Sequence, residues 1–251
     1  VLGKTWVDGS RIRHTLGSVG DSRALLVRDG KISQLTADHS PISILVERGV
    51  KNTRDEVITL ESADEDPTQR VRLDDVLRLA AAQEHPELGS CISELAKQWK
   101  RNGILPELLQ IYQKTCAIKP PLPTQAQAQF LLRALAVLRK DGLPQPTLAL
   151  RDIRHVMFAA LGGRSANERL GIPFRPFTTT IEVFAKDIIL KLSDGITDNL
   201  SMQKILAIVA RCEDDMELCA HELVEAAYEA SGRTDGKKDD MTVLIEQFAK
   251  Q

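Results

Sequence analysis

The sequence predicts a protein of the α+β class, in which antiparallel strands and helices both contribute to the core. Two pairs of strand-like runs near the N-terminus are each separated by an Asp-Gly pair, Asp8-Gly9 and Asp29-Gly30. Asp-Gly between alternating runs is a strong hairpin signal because such turns need positive φ angles. A short apolar run, residues 188–192, predicts a buried strand. Longer segments with helical spacing of apolar residues complete the mixture.

The first 36 residues predict a β-meander of four strands. The runs 4–7 and 11–16 flank the first Asp-Gly pair, and the runs 24–27 and 31–35 flank the second. Asp21 falls between the second and third of these strands.

The rest of the chain predicts further strands and helices, each bounded by a recognisable signal. A short helix over 42–48 is closed by a glycine, and another glycine ends a later helix in which apolar residues recur at helical spacing. The predicted elements are strands 177–184, 188–192 and 242–248 and helices 201–212 and 215–231.

Composition excludes several classes of protein. The chain has 251 residues, 43% of them apolar and 27% charged, with a formal net charge of −2. This balance gives no indication of nucleic acid or of an anionic membrane surface as a partner. No apolar run approaches the ~20 residues that a membrane span needs. The four cysteines have no metal-binding spacing, so we expect reduced thiols in a cytoplasmic protein.

Acidic residues stand at the ends of several predicted strands. Asp194 and Asp198 follow the buried strand, four residues apart, which is about one helical turn. Asp21 and Asp239 also lie at strand boundaries. A single Asp-Gly turn is usually only a turn, but several acidic turns can converge. Two carboxylates about 4 Å apart repel each other by roughly 4 kcal/mol, so a converging set would bind a hard cation such as Mg²⁺ or Mn²⁺.

Five segments occur in the order seen in the metal-dependent protein phosphatases of the 2C type, the PPM family, and the chain resembles the bacterial members. The segments are Ser18–Leu25, Leu35–Ser40, Ala160–Gly163, Ser193–Asn199 and Asp239–Val243. The resemblance covers roughly residues 4–58 and 151–248.

The resemblance implies a fold, a reaction and a set of metal ligands. The fold is a β-sandwich of two antiparallel sheets flanked by helices. The reaction is Mg²⁺- or Mn²⁺-dependent hydrolysis of phosphoserine and phosphothreonine in protein substrates, with two or three metal ions and no phosphoenzyme. Asp194 and Asp239 match ligands of the binuclear centre, and Asp21, Asp194 and Asp198 match those of a further metal. Asp240 stands beside the ligands, where many relatives have Asn. No catalytic residue beyond the metal ligands is implied.

The chain departs from the family in two respects. Two upstream family motifs, an Asp-Gly that bridges the core metals and an Arg that binds phosphate, have no counterpart. We therefore expect a fragment of a longer active protein; a complete chain would be feeble or inactive. In addition, residues 59–150 form a helical insertion within a phosphatase-like domain of 1–58 and 151–251.

The insertion predicts helices over 75–84, 91–101, 106–116 and 125–140, the first capped by Asp74. It is either a cap that binds a partner or restricts entry to the site, or a helical subdomain without a role in function. The alternative to an enzyme is thus an inactive phosphatase-like module that binds a protein partner through the insertion.

Several individual residues have a plainer interpretation beside the functional one. Asp21 is either a metal ligand or a turn aspartate that binds backbone N–H groups. Arg23 is expected to be a structural partner of nearby carboxylates, and His39 to pack or form hydrogen bonds rather than act as an acid. Cys219 belongs to the core, and residues 234–238 are expected to form an exposed loop.

Overall fold

The computed structural model describes residues 1–66, 68–82, 110–114, 117, 124–140, 145–153, 176–212, 215–233 and 236–249. The chain divides into two compact units, Val1–His39 with Arg175–Gln251 and Ser40–Phe174. The second unit is therefore longer at both ends than the predicted insertion of 59–150. Membership of 1–58 and 151–251 in one phosphatase-like domain stays a prediction.

The described residues form ten strands and helices in the first unit and seven in the second. In chain order they are β1 (Leu2–Asp8), β2 (Arg11–Ser18), β3 (Arg23–Arg28), β4 (Lys31–Gln34), α1 (Pro41–Glu47), α2 (Leu60–Glu65), β5 (Arg70–Arg72), α3 (Leu73–Ala81), α4 (Thr124–Lys140), β6 (Thr147–Ala149), α5 (Leu150–Ile153), β7 (Phe177–Val183), β8 (Ile188–Leu192), α6 (Asp194–Thr197), α7 (Met202–Arg211), α8 (Met216–Ser231) and β9 (Val243–Gln247). Within the described residues, every helix is too short or too polar to cross a membrane.

The strands of the first unit form two antiparallel sheets. The three-stranded sheet has the order β1-β2-β7, and the four-stranded sheet has the order β4-β3-β8-β9. Both predicted hairpins are confirmed, and Asp29 and Gly30 have the positive φ angles, 50° and 70°, that the second turn needs. The first turn lies one residue later than predicted, at Gly9-Ser10, with a φ of 63° at Gly9.

The prediction of one four-stranded meander is wrong, because β2 and β3 belong to different sheets. The connection between them contains Gly20, whose φ of 92° suits only glycine. The chain passes from one sheet to the other at this point, and Asp21 lies in that passage.

Side chains on the two faces of the four-stranded sheet enter different layers of the core. Leu25 of β3 and Leu190 of β8 belong to a cluster that includes the apolar faces of α7 and α8. Leu26 and Ile189 point the other way, into a smaller cluster with Val183 of the three-stranded sheet. The α+β class is thus confirmed, with two antiparallel sheets and helices over one of them. Cys219 is fully buried in the first cluster, as predicted.

The second unit has its own core, built from α1 to α5 and the small β5-β6 sheet. The predicted helix 75–84 instead begins at Leu73 and ends at Ala81. Asp74 is not its cap, because it lies within the first turn of the helix and Arg72 has the N-cap position. The Asp74 carboxylate accepts a hydrogen bond from Gln145 Nε2 at 2.6 Å. The predicted helix 91–101 lies outside the described residues, and only 110–114 of the predicted helix 106–116 is described, as helix.

Candidate metal centre

The strand β8 ends directly at the first two predicted ligands. Ser193 follows the strand with an extended backbone and begins α6, whose first residue is Asp194. The Asp198 N–H donates to Asp194 O at 2.8 Å, so the turn is helical. Residues four apart on a helical turn share one side, and both carboxylates therefore face the same region.

The segment that precedes β9 lies against this turn. Ser193 Oγ donates to Asp240 O at 3.0 Å and accepts from the Thr242 N–H at 2.9 Å. Gly195 makes the approach possible, because a Cβ at this position would lie 2.4 Å from Asp240 O. The two segments therefore touch through their backbones, which places Asp239 beside Asp194.

Three of the predicted ligands converge on one positive charge, the ammonium of Lys237. Lys237 Nζ forms an ion pair with Asp194 Oδ2 and lies 3.0 Å from Asp198 Oδ2 and 3.1 Å from Asp239 Oδ2. The lysine side chain is only 24% exposed, so the predicted exposed loop 234–238 is wrong for Lys237. Burial alone lowers the pKa of this amine, but the hydrogen bond with Asp194 and the charge of Asp198 outweigh burial and raise the pKa above its ordinary value.

The carboxylates of Asp194 and Asp239 are oriented by their own backbone. Asp194 Oδ1 accepts from the Gly195 N–H at 3.0 Å, and Asp239 Oδ1 accepts from the Asp240 N–H at 2.9 Å. In both residues the second oxygen is the one that meets Lys237. One oxygen fixes the side chain and the other faces the cation.

Asn199, directly after this turn, fixes the position of Lys237. The side-chain amide of Asn199 donates to Lys237 O at 2.8 Å, and its carbonyl accepts from the Lys237 N–H at 2.9 Å. The same amide also donates to Gly195 O at 2.8 Å. The lysine is thus attached to the turn whose carboxylates it neutralises.

Asp21 lies within the electric field of the same cluster. Burial and the charge of Asp194 raise the pKa of Asp21 to about 6, and Asp38 adds to the rise, while a backbone hydrogen bond and Lys237 oppose it. Both burial and nearby negative charge disfavour the ionised form of a carboxyl group. Asp194, Asp198 and Asp239 thus meet at one point of the first unit, and the pKa of Asp21 responds to the charges of Asp194 and Lys237 in the same cluster.

Arg23 and Asp38 form a buried ion pair beside Asp21. Arg23 Nε donates to Asp38 Oδ2 at 2.9 Å, and Gln34 Nε2 donates to Asp38 Oδ1 at 2.9 Å. This contact agrees with the structural role expected for Arg23. The sequence did not single out Asp38 as a site residue, although its charge reaches Asp21.

His39 supports the loop that contains Asp21. Its backbone N–H donates to Gly20 O at 2.9 Å, and its Nδ1 lies 3.3 Å from the same oxygen. These contacts agree with the hydrogen-bonding role expected for His39.

The donor atoms of the cluster are of the type that suits a hard divalent cation, but their present arrangement suits the ammonium of Lys237. The donors are carboxylate oxygens only, the ligand type that Mg²⁺ and Mn²⁺ favour. Within the described part of the chain, no three acidic, imidazole or thiol groups are already arranged for a metal. The separations of 3.0 and 3.1 Å suit an ammonium, whereas Mg²⁺ requires about 2.1 Å. The cluster would have to contract around a metal.

Comparisons with known proteins give structural similarity only. No protein-family model and no curated protein matches the chain. Among solved structures, the chain is similar to the serine/threonine phosphatase PstP of Mycobacterium tuberculosis, with 20% identity and a TM-score of 0.47 over 98% of this chain and 58% of that one. It is also similar to the serine/threonine phosphatase Stp1 from Staphylococcus aureus, with 14% identity and a TM-score of 0.45 over 98% and 55% of the two chains.

A third similar structure is the PPM phosphatase MsPP from Mycobacterium smegmatis in complex with cacodylate, with 17% identity and a TM-score of 0.42 over 95% of this chain and 62% of that one. The chain spans less than two thirds of the length of each of these three structures. The three are bacterial serine/threonine phosphatases, the class whose motifs the sequence resembles. The predicted motif Ala160–Gly163 lies outside the described residues.

Proposed function

We propose that the chain is the metal-binding part of a Mg²⁺- or Mn²⁺-dependent protein phosphatase that hydrolyses phosphoserine and phosphothreonine. The observation that supports this proposal is the convergence of Asp194, Asp198 and Asp239 on a single cation. Carboxylates from separate segments would repel one another at this distance without a positive charge between them. The order of the sequence motifs supports the choice of substrate.

Each residue of the cluster has a defined part in this proposal. Asp194, Asp198 and Asp239 hold the metal ions, and Ser193 keeps the two ligand-bearing segments in contact through its two hydrogen bonds. The Asp21 carboxyl, with a pKa of about 6, loses its proton below neutral pH and joins the ligands. When bound, divalent ions lower the pKa of water and neutralise charge on a phosphate.

The test is manganese-dependent release of phosphate from a phosphothreonine peptide by the intact protein. We expect Asp194→Asn to lower the rate by roughly 100-fold or more, since losing even the partners of metal ligands costs 10- to 100-fold. Asp29→Asn is the matched control, because Asp29 is exposed in the turn between β3 and β4. Equal rates in the two variants, or a rate indifferent to chelator, would contradict the proposal.

A second candidate function is an inactive phosphatase-like module that binds a protein partner through the helical insertion. The specific observation in its favour is the exposure of two apolar side chains on α4, Phe130 at 49% and Val137 at 60%. They are seven residues apart and thus two turns along the same side of the helix. This candidate predicts that no phosphate is released at saturating Mn²⁺. The first candidate predicts that phosphate is released under the same conditions.

A further inference from the structure

We propose that the ammonium of Lys237 occupies the position that a metal ion would take. A divalent ion can then bind only after this side chain withdraws. The inference rests on the proposed function, because it takes Asp194, Asp198 and Asp239 to be the metal ligands. It adds a residue whose charge opposes the metal rather than assisting it.

The ammonium and a metal ion would compete for the same oxygen atoms. A lysine ammonium has three N–H donors, and three carboxylate oxygens surround Lys237 Nζ. The other oxygens of Asp194 and Asp239 are engaged by backbone N–H groups. A divalent ion that uses the remaining oxygens must occupy the point now taken by Nζ, and two positive charges cannot share it.

The position of Lys237 results from its backbone as well as from its charge. Asn199 holds both the N–H and the carbonyl of Lys237 through its side-chain amide. The preceding residue, Gly236, lies so close to the end of α8 that a Cβ there would be 2.4 Å from Ala230 O. The ammonium is therefore delivered to the cluster at a high effective concentration, on the scale of millimolar or above for a short tether.

The side chain can leave the cluster without unfolding the loop. Lys237 has four flexible methylene groups, and Asp239, on the outer side of the cluster, has a side chain that is 41% exposed. The Asn199 contacts are with backbone atoms and remain when Nζ moves to solvent. The apparent metal affinity is then reduced by the fraction of molecules in which Lys237 occupies the site.

The first experiment measures Mn²⁺ binding to the metal-free protein by isothermal titration calorimetry. We expect Lys237→Met to bind Mn²⁺ roughly tenfold or more tightly than the wild type. Lys238→Met is the matched control: it removes the same charge from the next residue, which is exposed, and should change affinity by no more than about threefold, the scale of a screened surface charge. Equal affinities in the two variants would overturn the role of Lys237 and leave the proposed metal site intact. No Mn²⁺ binding by any of the three proteins would overturn both proposals.

A second experiment uses the wild type and does not depend on how the variant folds. Amines are labelled by reductive methylation with and without saturating Mn²⁺, and tandem mass spectrometry separates Lys237 from Lys238. We expect Lys237 labelling to rise severalfold with Mn²⁺ while Lys238 labelling stays constant. Unchanged labelling of Lys237 in protein that binds Mn²⁺ would show that the two cations do not exchange, and would overturn the inference.

Discussion

The two ends of β8 differ in how negative and positive charges are balanced. At its start, Asp187 is buried and paired with a single cation, Arg28, whose Nε donates to Asp187 Oδ1 at 2.9 Å. Asp187 Oδ2 also accepts from the Phe184 N–H at 2.7 Å, and the Arg28 guanidinium stacks 4.6 Å from the Phe184 ring centre. At the other end, three carboxylates share the single charge of Lys237.

Under the proposed function, this difference distinguishes a structural ion pair from a site for a ligand. The Arg28–Asp187 pair matches charge one to one and satisfies both carboxylate oxygens, so an added ion would gain nothing. The cluster at Lys237 has excess negative charge, because three carboxylates share one ammonium. Excess charge of one sign in a partly open position is a mark of function.

The largest expected effect is at the structural end of the strand. Asp187→Ala removes the partner of Arg28 and the acceptor of the Phe184 N–H. We expect the free energy of unfolding to fall by about 3 kcal/mol, the lower end for a broken buried pair, since the Arg28 side chain is 33% exposed. Urea unfolding followed by circular dichroism measures this loss. A loss as small as that of the exposed Asp29→Asn variant would remove the contrast between the two ends.

A smaller loss is expected where the functional end depends on close backbone packing. Gly195→Ala places a Cβ about 2.4 Å from Asp240 O and must push the two ligand-bearing segments apart. We expect about 2 kcal/mol of destabilisation, within the range for overpacking, together with weaker Mn²⁺ binding. Gly17→Ala is the control, because the nearest atom to its Cβ would be at 4.0 Å. Equal Mn²⁺ affinity in the two variants would show that this contact does not position the ligands.

The smallest expected effect concerns a polar group near the middle of β8. His14 is buried and near Glu246 and Lys191, which also pair with each other. Burial lowers the pKa of His14, and the opposing charge of Glu246 offsets only part of that fall. Because the folded-state pKa is below the unfolded value of about 6.5, the contribution of His14 to stability is present above pH 6.5 and is lost as the pH falls.

The measurement is the difference in unfolding free energy between the wild type and His14→Gln at pH 7.5 and pH 5.5. The difference is necessary because Asp21, with its pKa raised to about 6, affects stability with the opposite sign over the same interval. We expect the wild type to lose more stability on acidification than the variant. Equal losses of stability in the two proteins would mean that His14 does not contribute to this pH dependence.

Local signals in the sequence predicted much of the first unit. The Asp29-Gly30 hairpin, the buried run of β8 and the helices predicted over 201–212 and 215–231 each depend on neighbours within a few residues. The four-residue spacing of Asp194 and Asp198 belongs to the same group. The fold class is confirmed, whereas the use of Asp194 and Asp198 as metal ligands stays a prediction.

The features that the sequence did not predict depend on contacts between residues that are far apart in the chain. Lys237 enters the cluster because Asn199, 38 residues earlier, binds its backbone, and no pattern in residues 234–238 indicates this. Asp38 affects the pKa of Asp21 although the β3–β4 hairpin separates the two residues in the sequence. Asp74 lies inside α3 instead of capping it, and its carboxylate binds Gln145, 71 residues later.

The hydrogen bonds between Asn199 and the Lys237 backbone bear on the order of folding and metal binding. A chain that carries its own counter-ion can assemble these strand ends in water that holds no free divalent salt. If the proposed exchange of Lys237 for a metal ion takes place, metal binding would be a step separate from folding.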